Sequence, residues 1–167
     1  MVATERRGPG PSGSPRLYVM VGLPGSGKTT YARKYLAHAL RVSLDDLRLM
    51  LTGRTFERQH EPAVAVVGEA VLRAVLANAR AWRVDVVFDA TNVTRAWRRR
   101  TLQLAADYDV MPVAIYLDCP LEVALARNRQ RRHPVPDEVV ERFHAQLEPP
   151  DKGEGFAEVV EILEFSA

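Results

Sequence analysis

Along the 167-residue chain, short apolar runs alternate with longer stretches of helical period. Arg16 to Val21 (RLYVMV) is almost wholly apolar, the pattern of a strand buried on both faces, and it runs into a glycine-rich turn. Lys28 to Ala39 reads as a helix, and Leu40 to Val42 as a short strand. Ser43 is a good N-cap with Asp46 three residues on as a capping-box variant, so a helix begins there. Thr52 to Pro62 is polar and predicts a loop, after which Ala63 to Arg83 has long helical periodicity. Val84 to Phe88 (VDVVF) is the next buried strand, closed by Asp89. Thr94 caps a helix to about Tyr108, Val110 to Leu117 is a strand, and Pro120 suits the first turn of a helix reaching about Arg132. Pro136 to about Leu147 is helical, and Val159 to Phe165 is a last strand. Strands alternating with helices imply parallel βαβ units and a layered α/β fold.

Residues 1–15 are rich in Gly, Pro and Ser and lack core-forming side chains, which predicts a disordered tail ahead of one domain over residues 16–167. No apolar run reaches the roughly 18 residues of a membrane span, and the N-terminus has no secretory h-region. The only cysteine, Cys119, excludes an internal disulfide and fits a reducing compartment, so a cytoplasmic location without membrane attachment is expected. Its place at the end of an apolar run predicts a buried structural thiol. The net charge of +2 hides an asymmetry. Residues 95–132 hold eight Arg against four acidic residues, whereas residues 137–164 hold nine acidic residues against Arg142 and Lys152. The basic segment is either a phosphate-attracting patch or a solvated helix face, and charge alone does not choose.

The glycine-rich turn carries the strongest chemical signal. Gly22-Leu23-Pro24-Gly25-Ser26-Gly27-Lys28-Thr29 matches G-x-x-x-x-G-K-[ST] in full, after a strand and before a helix. Glycines let successive backbone N–H groups face phosphate oxygens, and the helix that continues through Thr30 adds the positive end of its dipole. Lys28 is expected to reach the β and γ phosphates of ATP, with the Thr29 hydroxyl on Mg²⁺.

Three further clusters bear on the chemistry beyond nucleotide binding. Asp45 and Arg48 lie three apart just after the second strand, at the sheet edge where ligands gather. A carboxylate there suits a general base and the arginine a phosphate ligand, while helix capping is the alternative and better fits Asp46. Asp89, followed by Ala90-Thr91-Asn92, occupies the strand end of a Walker B carboxylate, although such residues also make turns. Arg127 and Arg131 are four apart and could clamp the β and γ phosphates, and the PVP after them suggests a mobile lid edge. Trp97 could offer a stacking surface and Arg98 to Arg100 backbone contacts for a nucleic acid, but core packing of Trp97 is favoured. His60, His133 and His144 have no metal-ligand spacing.

Together GLPGSGKTT, SLDDLR, DATN and ARNRQRR with PVPDEVVERF resemble the kinase domain of bacteriophage-type polynucleotide 5′-kinases and their AAA-type kinase relatives, over about Leu17 to Leu147. The closing EPPDKGEGF resembles the wider set around mammalian polynucleotide kinase. The resemblance implies a P-loop kinase fold with a parallel five-stranded sheet in the order 2-3-1-4-5, helices on both faces and a helical lid. It implies ATP with Mg²⁺ bound at Gly22, Pro24, Gly25, Ser26, Gly27, Lys28, Thr29 and Thr30, with Arg127 near the nucleotide and Arg131 on the transferred phosphoryl. It makes Asp45 the general base for a 5′-hydroxyl on DNA or RNA and Arg48 the ligand of the acceptor's 3′-phosphate. Asp89, acting through Arg48, would order the acceptor side together with Thr91 and Asn92. The D-x-D-x-[TV] phosphatase signature of the phage enzyme is missing from the chain. A kinase of a small hydroxyl compound and an NTP-binding switch stand as alternatives.

Overall fold

The computed structural model describes residues 13–54 and 56–163. The tail expected over residues 1–15 therefore lies largely outside the described residues. Pro15 belongs to the fold: it is buried, and its carbonyl accepts from the Met111 N–H at 2.9 Å.

Five parallel strands form one sheet: β1 (Arg16–Val21), β2 (Leu40–Ser43), β3 (Val86–Asp89), β4 (Met111–Asp118) and β5 (Glu158–Leu163). Their order is β2-β3-β1-β4-β5, as the resemblance implied. The alternation of side chains along β1 divides the core. Leu17, Val19 and Val21 join Leu72, Leu76 and Leu104 on one face, while Tyr18 and Met20 join Tyr31, Ala32 and Leu36 on the other. The first face is covered by α3 (Glu61–Trp82) and α4 (Arg95–Asp107), the second by α1 (Lys28–Tyr35). Burial on both faces explains why β1 and β4 read as near-continuous apolar runs.

Several element ends differ from the sequence pattern. The first helix stops at Tyr35, four residues early, because the chain turns Leu36 into the core and closes Ala39 N–H on the Leu36 carbonyl at 3.0 Å. The expected loop over Thr52 to Pro62 is shorter: α2 (Leu44–Thr52) runs into it, a 3₁₀ turn occupies Arg58–His60, and Pro62 lies in the first turn of α3, where its missing N–H costs nothing. The helix after Pro120, α5 (Leu121–Arg129), ends before Arg131, and α6 (Asp137–Gln146) follows. Phe165, expected within β5, lies outside the described residues.

Both predicted hydroxyl caps form, Ser43 Oγ accepting from Asp46 N–H and Thr94 Oγ1 from Trp97 N–H, each at 3.3 Å. The Asp46 carboxylate does not complete a capping box; the Arg41 guanidinium takes it instead. Because all five strands are parallel, their carboxyl ends share one edge. The order reverses at β1, with β3 on one side and β4 on the other, and ligands of open α/β sheets bind at such a switch point.

Candidate active site

The loop after β1 wraps the switch point. Gly25 (φ +86°) and Gly27 (φ +97°) take left-handed conformations that an L side chain resists. A Cβ on Gly25 would also collide with the Ala124 carbonyl, so glycine is what lets α5 lie against the loop. The loop is tied to the neighbouring strand end by Gly22 N–H donating to the Thr91 carbonyl at 3.0 Å. Asn92, itself at φ +47°, donates from its side chain to the Met20 carbonyl at 2.8 Å. Thr91 and Asn92 thus brace the loop, and both also line the cleft beside it.

Lys28 is only 8% exposed, and its ammonium donates to the carbonyls of Gly22 (2.9 Å) and Leu23 (2.7 Å). Burial pushes its pKa down to about 8, partly opposed by the Asp89 and Asp45 carboxylates. Thr29 Oγ1 donates to Asp89 Oδ2 at 2.8 Å, which brings the expected metal-binding hydroxyl and the Walker B carboxylate together. The two are hard oxygen donors beside a phosphate loop, a set that suits Mg²⁺.

Asp89 is not linked to Arg48. Its partner is Arg41, at 2.6 Å, which bridges Asp89 to Asp46. The register explains this: Ser43 lies opposite Asp89, so Arg41 on β2 reaches the carboxylate along the strand, while Arg48 on α2 points to α3. Arg48 donates to both oxygens of Glu61 (2.8 and 2.7 Å) and to Asp45 Oδ1 (2.7 Å). Arg131 donates to the other oxygen, Asp45 Oδ2, at 3.1 Å across 86 positions of sequence. Asp45 is therefore held between two guanidiniums, one from α2 and one from the turn after α5. Gly68 gives the Leu44 side chain room against α3, and so seats α2 and its Asp45.

The segment expected as part of a helical lid is a turn after α5. Asn128, fully buried, donates to the Val135 carbonyl at 2.6 Å and accepts from its N–H at 3.1 Å. The turn is thus fastened at its base. Arg127 also lines the cleft but, unlike Arg131, has no ion-pair or hydrogen-bond partner among the described residues.

These groups surround a cleft of about 900 Å³. Lys28, Arg127 and Arg131 lie at its phosphate-loop end, and Phe56, Leu72, Trp97, Leu104 and Phe143 line the remainder. Trp97 is not a core residue; it is 47% exposed and meets Phe143 edge-to-face, ring centroids 5.7 Å apart. Arg98, read as a possible backbone contact, is the buried member of the run. It is fully buried and donates to both oxygens of Glu154, at 2.8 and 2.7 Å. Cys119 is half-buried instead of buried, and that burial raises its thiol pKa. Arg41, Glu61 and Asn128 escaped sequence reading. Only the strand pairing and the α2–α3 contact bring the first two to the site, though Asn128 does sit inside the R-N-x-x-[RK] motif.

The family model described as AAA domain (AAA_33) matches residues 17–150, and the chain belongs to this family, with a P-loop kinase fold. An L-seryl-tRNA(Sec) kinase of Methanococcus maripaludis is 27% identical over 139 residues, 80% of this chain and 53% of that protein. The chain thus spans about half the length of this curated relative. Among solved structures, a chain of the Pnkp1/Rnl/Hen1 RNA repair complex is 26% identical with a TM-score of 0.67, over 88% of this chain and 47% of that one. A gluconokinase from Sinorhizobium meliloti shares the fold at 20% identity and a TM-score of 0.55, over 89% and 82% of the two chains.

Proposed function

We propose that this protein is an ATP-dependent kinase that phosphorylates the 5′-hydroxyl end of DNA or RNA. The observation that carries the reading is Asp45, whose two carboxylate oxygens face Arg48 and Arg131 between the phosphate loop and the open end of the cleft. A γ-phosphate competes for Arg131 and draws it off Asp45 Oδ2, which frees that oxygen to take the acceptor proton. Arg48 keeps Oδ1 and the orientation of the carboxylate. The acceptor oxygen then bonds to the γ-phosphorus in line as the bond to the β–γ bridging oxygen breaks, leaving ADP.

In that reaction Lys28 leaves the loop carbonyls for the phosphates, and Arg127 and Arg131 balance charge on the phosphoryl group. The Ser26 hydroxyl, buried with no hydrogen-bond partner among the described residues, marks a loop that gains from rearranging around phosphate. Thr29 and Asp89 would hold Mg²⁺, which neutralises the phosphate oxygens when bound. Further support for a nucleic-acid acceptor comes from the RNA repair complex chain, similar along 88% of this chain.

A small hydroxyl acceptor is the second reading, and a specific feature favours it. The cations of the acceptor end, Arg48 and Arg100, are each held two-pronged by a carboxylate, Glu61 and Glu69. The deciding experiment is label transfer from [γ-³²P]ATP to a 5′-hydroxyl oligonucleotide, to a seryl-tRNA, and to nucleoside and sugar acceptors side by side. Labelled oligonucleotide is expected. Label confined to another acceptor sinks the 5′-kinase reading and leaves the kinase; label on none sinks both.

A further inference from the structure

The kinase reading leaves Trp97 without a task, although the indole lines the same cleft. It lies in the first turn of α4, is 47% exposed, and touches Phe143 of α6 edge-to-face with planes 89° apart. The indole is thus only partly covered by Phe143, and the rest of its surface is open to a ligand of the cleft it lines. Phe143 in turn has the Arg142 guanidinium 5.7 Å from its centroid, a cation–π contact.

The surroundings decide what such a surface can hold. Phe56, Leu72 and Leu104 continue the apolar lining inward. The cations that line the cleft here are not free: Arg100 donates to Glu69 at 3.1 and 2.6 Å, and Arg48 to Glu61 and Asp45. Three carboxylates (Asp45, Glu61 and Glu69) pair with the guanidiniums of Arg48, Arg100 and Arg131, and Arg73 also reaches Glu69, so these cations are already matched and exert little pull on a chain of phosphates. A half-exposed indole in a charge-balanced, apolar-lined part of the cleft is suited to the flat, weakly polar face of a nucleobase.

We propose that the nucleobase of the acceptor's terminal nucleoside stacks on Trp97, and that this contact, not the phosphate backbone, selects the acceptor. The inference rests on the proposed kinase activity and deepens it. The shared ligand chemistry is a base joined to a ribose or deoxyribose hydroxyl, whether at an oligonucleotide end or in a free nucleoside.

The test separates the two claims. The chain has two tryptophans, so Trp82→Phe, at the exposed C-terminal end of α3, leaves Trp97 as the only indole. In that background a 5′-hydroxyl DNA oligonucleotide and adenosine are titrated against indole fluorescence, with ribose as control. Quenching by the first, the second or both, and none by ribose, is expected; which of them quenches tells the sources apart. In steady-state assays Trp97→Ala should raise the acceptor KM roughly tenfold or more, by the loss of one base–aromatic stack, with kcat nearly kept. Trp97→Phe should restore most of the affinity. An acceptor whose terminal nucleotide is abasic should have the high KM already and lose nothing further in Trp97→Ala. Raising salt from 50 to 200 mM should move the acceptor KM by only a few-fold, because few phosphates are engaged. Quenching without phosphorylation of any acceptor would overturn the kinase reading and keep the base site. Phosphorylation with an unchanged KM in Trp97→Ala, with abasic ends as good as intact ones, or with a steep salt dependence would overturn the stacking proposal and keep the kinase.

Discussion

Lys28 offers a prediction whose size comes from its surroundings. Its ammonium is buried against two loop carbonyls, and burial lowers the pKa from 10.5 to about 8. The sign comes from proton counting: between pH 8 and 10.5 the unfolded chain carries a proton on Lys28 that the folded chain has lost, so folding stability rises with pH in that window. The full difference is about 3 kcal/mol, since each pKa unit is worth ~1.4 kcal/mol, and about 2 kcal/mol of it should develop between pH 7 and 9.5. Other groups titrate there too, so the assay is the difference between wild type and Lys28→Met in urea unfolding without nucleotide, where shared titrations cancel. Wild type should gain on the variant as pH rises. The same shift governs the nucleotide. Phosphates need the charged ammonium, so the Kd for ATP should be flat up to about pH 8 and then rise towards tenfold per pH unit. Parallel unfolding curves for the two proteins from pH 7 to 9.5 would refute the argument, because the ammonium would then not be desolvated in the nucleotide-free fold.

Asp45→Asn should lower kcat by ~10²–10⁴-fold, the usual worth of a general base, while ATP binding measured by calorimetry is kept or tightened, because Arg131 is released from its carboxylate. Unchanged phosphoryl transfer in that variant would remove Asp45 as the general base. Glu154→Gln should destabilise the fold by about 3–5 kcal/mol, because it leaves the fully buried Arg98 guanidinium without its countercharge, and thermal unfolding should fall by roughly 10 °C. A loss under about 1 kcal/mol would mean that the carbonyls of Asn92 and Val93, which also accept from Arg98, carry the charge unaided.

What the sequence makes legible here is what depends on neighbours in the chain. The phosphate loop can be read because its glycines, its lysine and the flanking strand and helix are contiguous, and the physics of anion binding needs them so. The order of strands and helices is legible for the same reason, since a strand buried on both faces shows as an unbroken apolar run. Element ends are less so. Tyr35 ends α1 although the helical period continues, because Leu36 is drawn into a cluster built mainly by β1 and β4. The site divides along the same line. Asp45, Asp89 and Arg131 sit at strand ends or in motifs and can be named from sequence; Arg41 and Glu61 belong to the site only because β2 pairs with β3 and α2 packs on α3.

Charge shows the limit most clearly, and it bears on function. In the linear sequence the Arg-rich segment and the acidic segment after it look like two separate patches, one of them ready for phosphates. In the fold three of the eight arginines answer the acidic segment, Arg95 with Asp151, Arg98 with Glu154 and Arg129 with Asp137, while Arg100 turns to Glu69 on α3 and Arg131 to Asp45 on α2. Local pattern cannot foresee a pairing across 56 residues, and a count of arginines therefore overstates what is left for a ligand. Of the arginines that line the cleft, Arg127 alone has no carboxylate partner among the described residues, and it lies at the phosphate-loop end. Within the cleft lining the unmatched arginine charge thus lies where a triphosphate would sit, with Lys28 beside it, whereas the end proposed for the acceptor offers paired ions and aromatic rings. An enzyme built this way would hold its donor by charge and its acceptor by shape and stacking, and salt should weaken the first contact far more than the second.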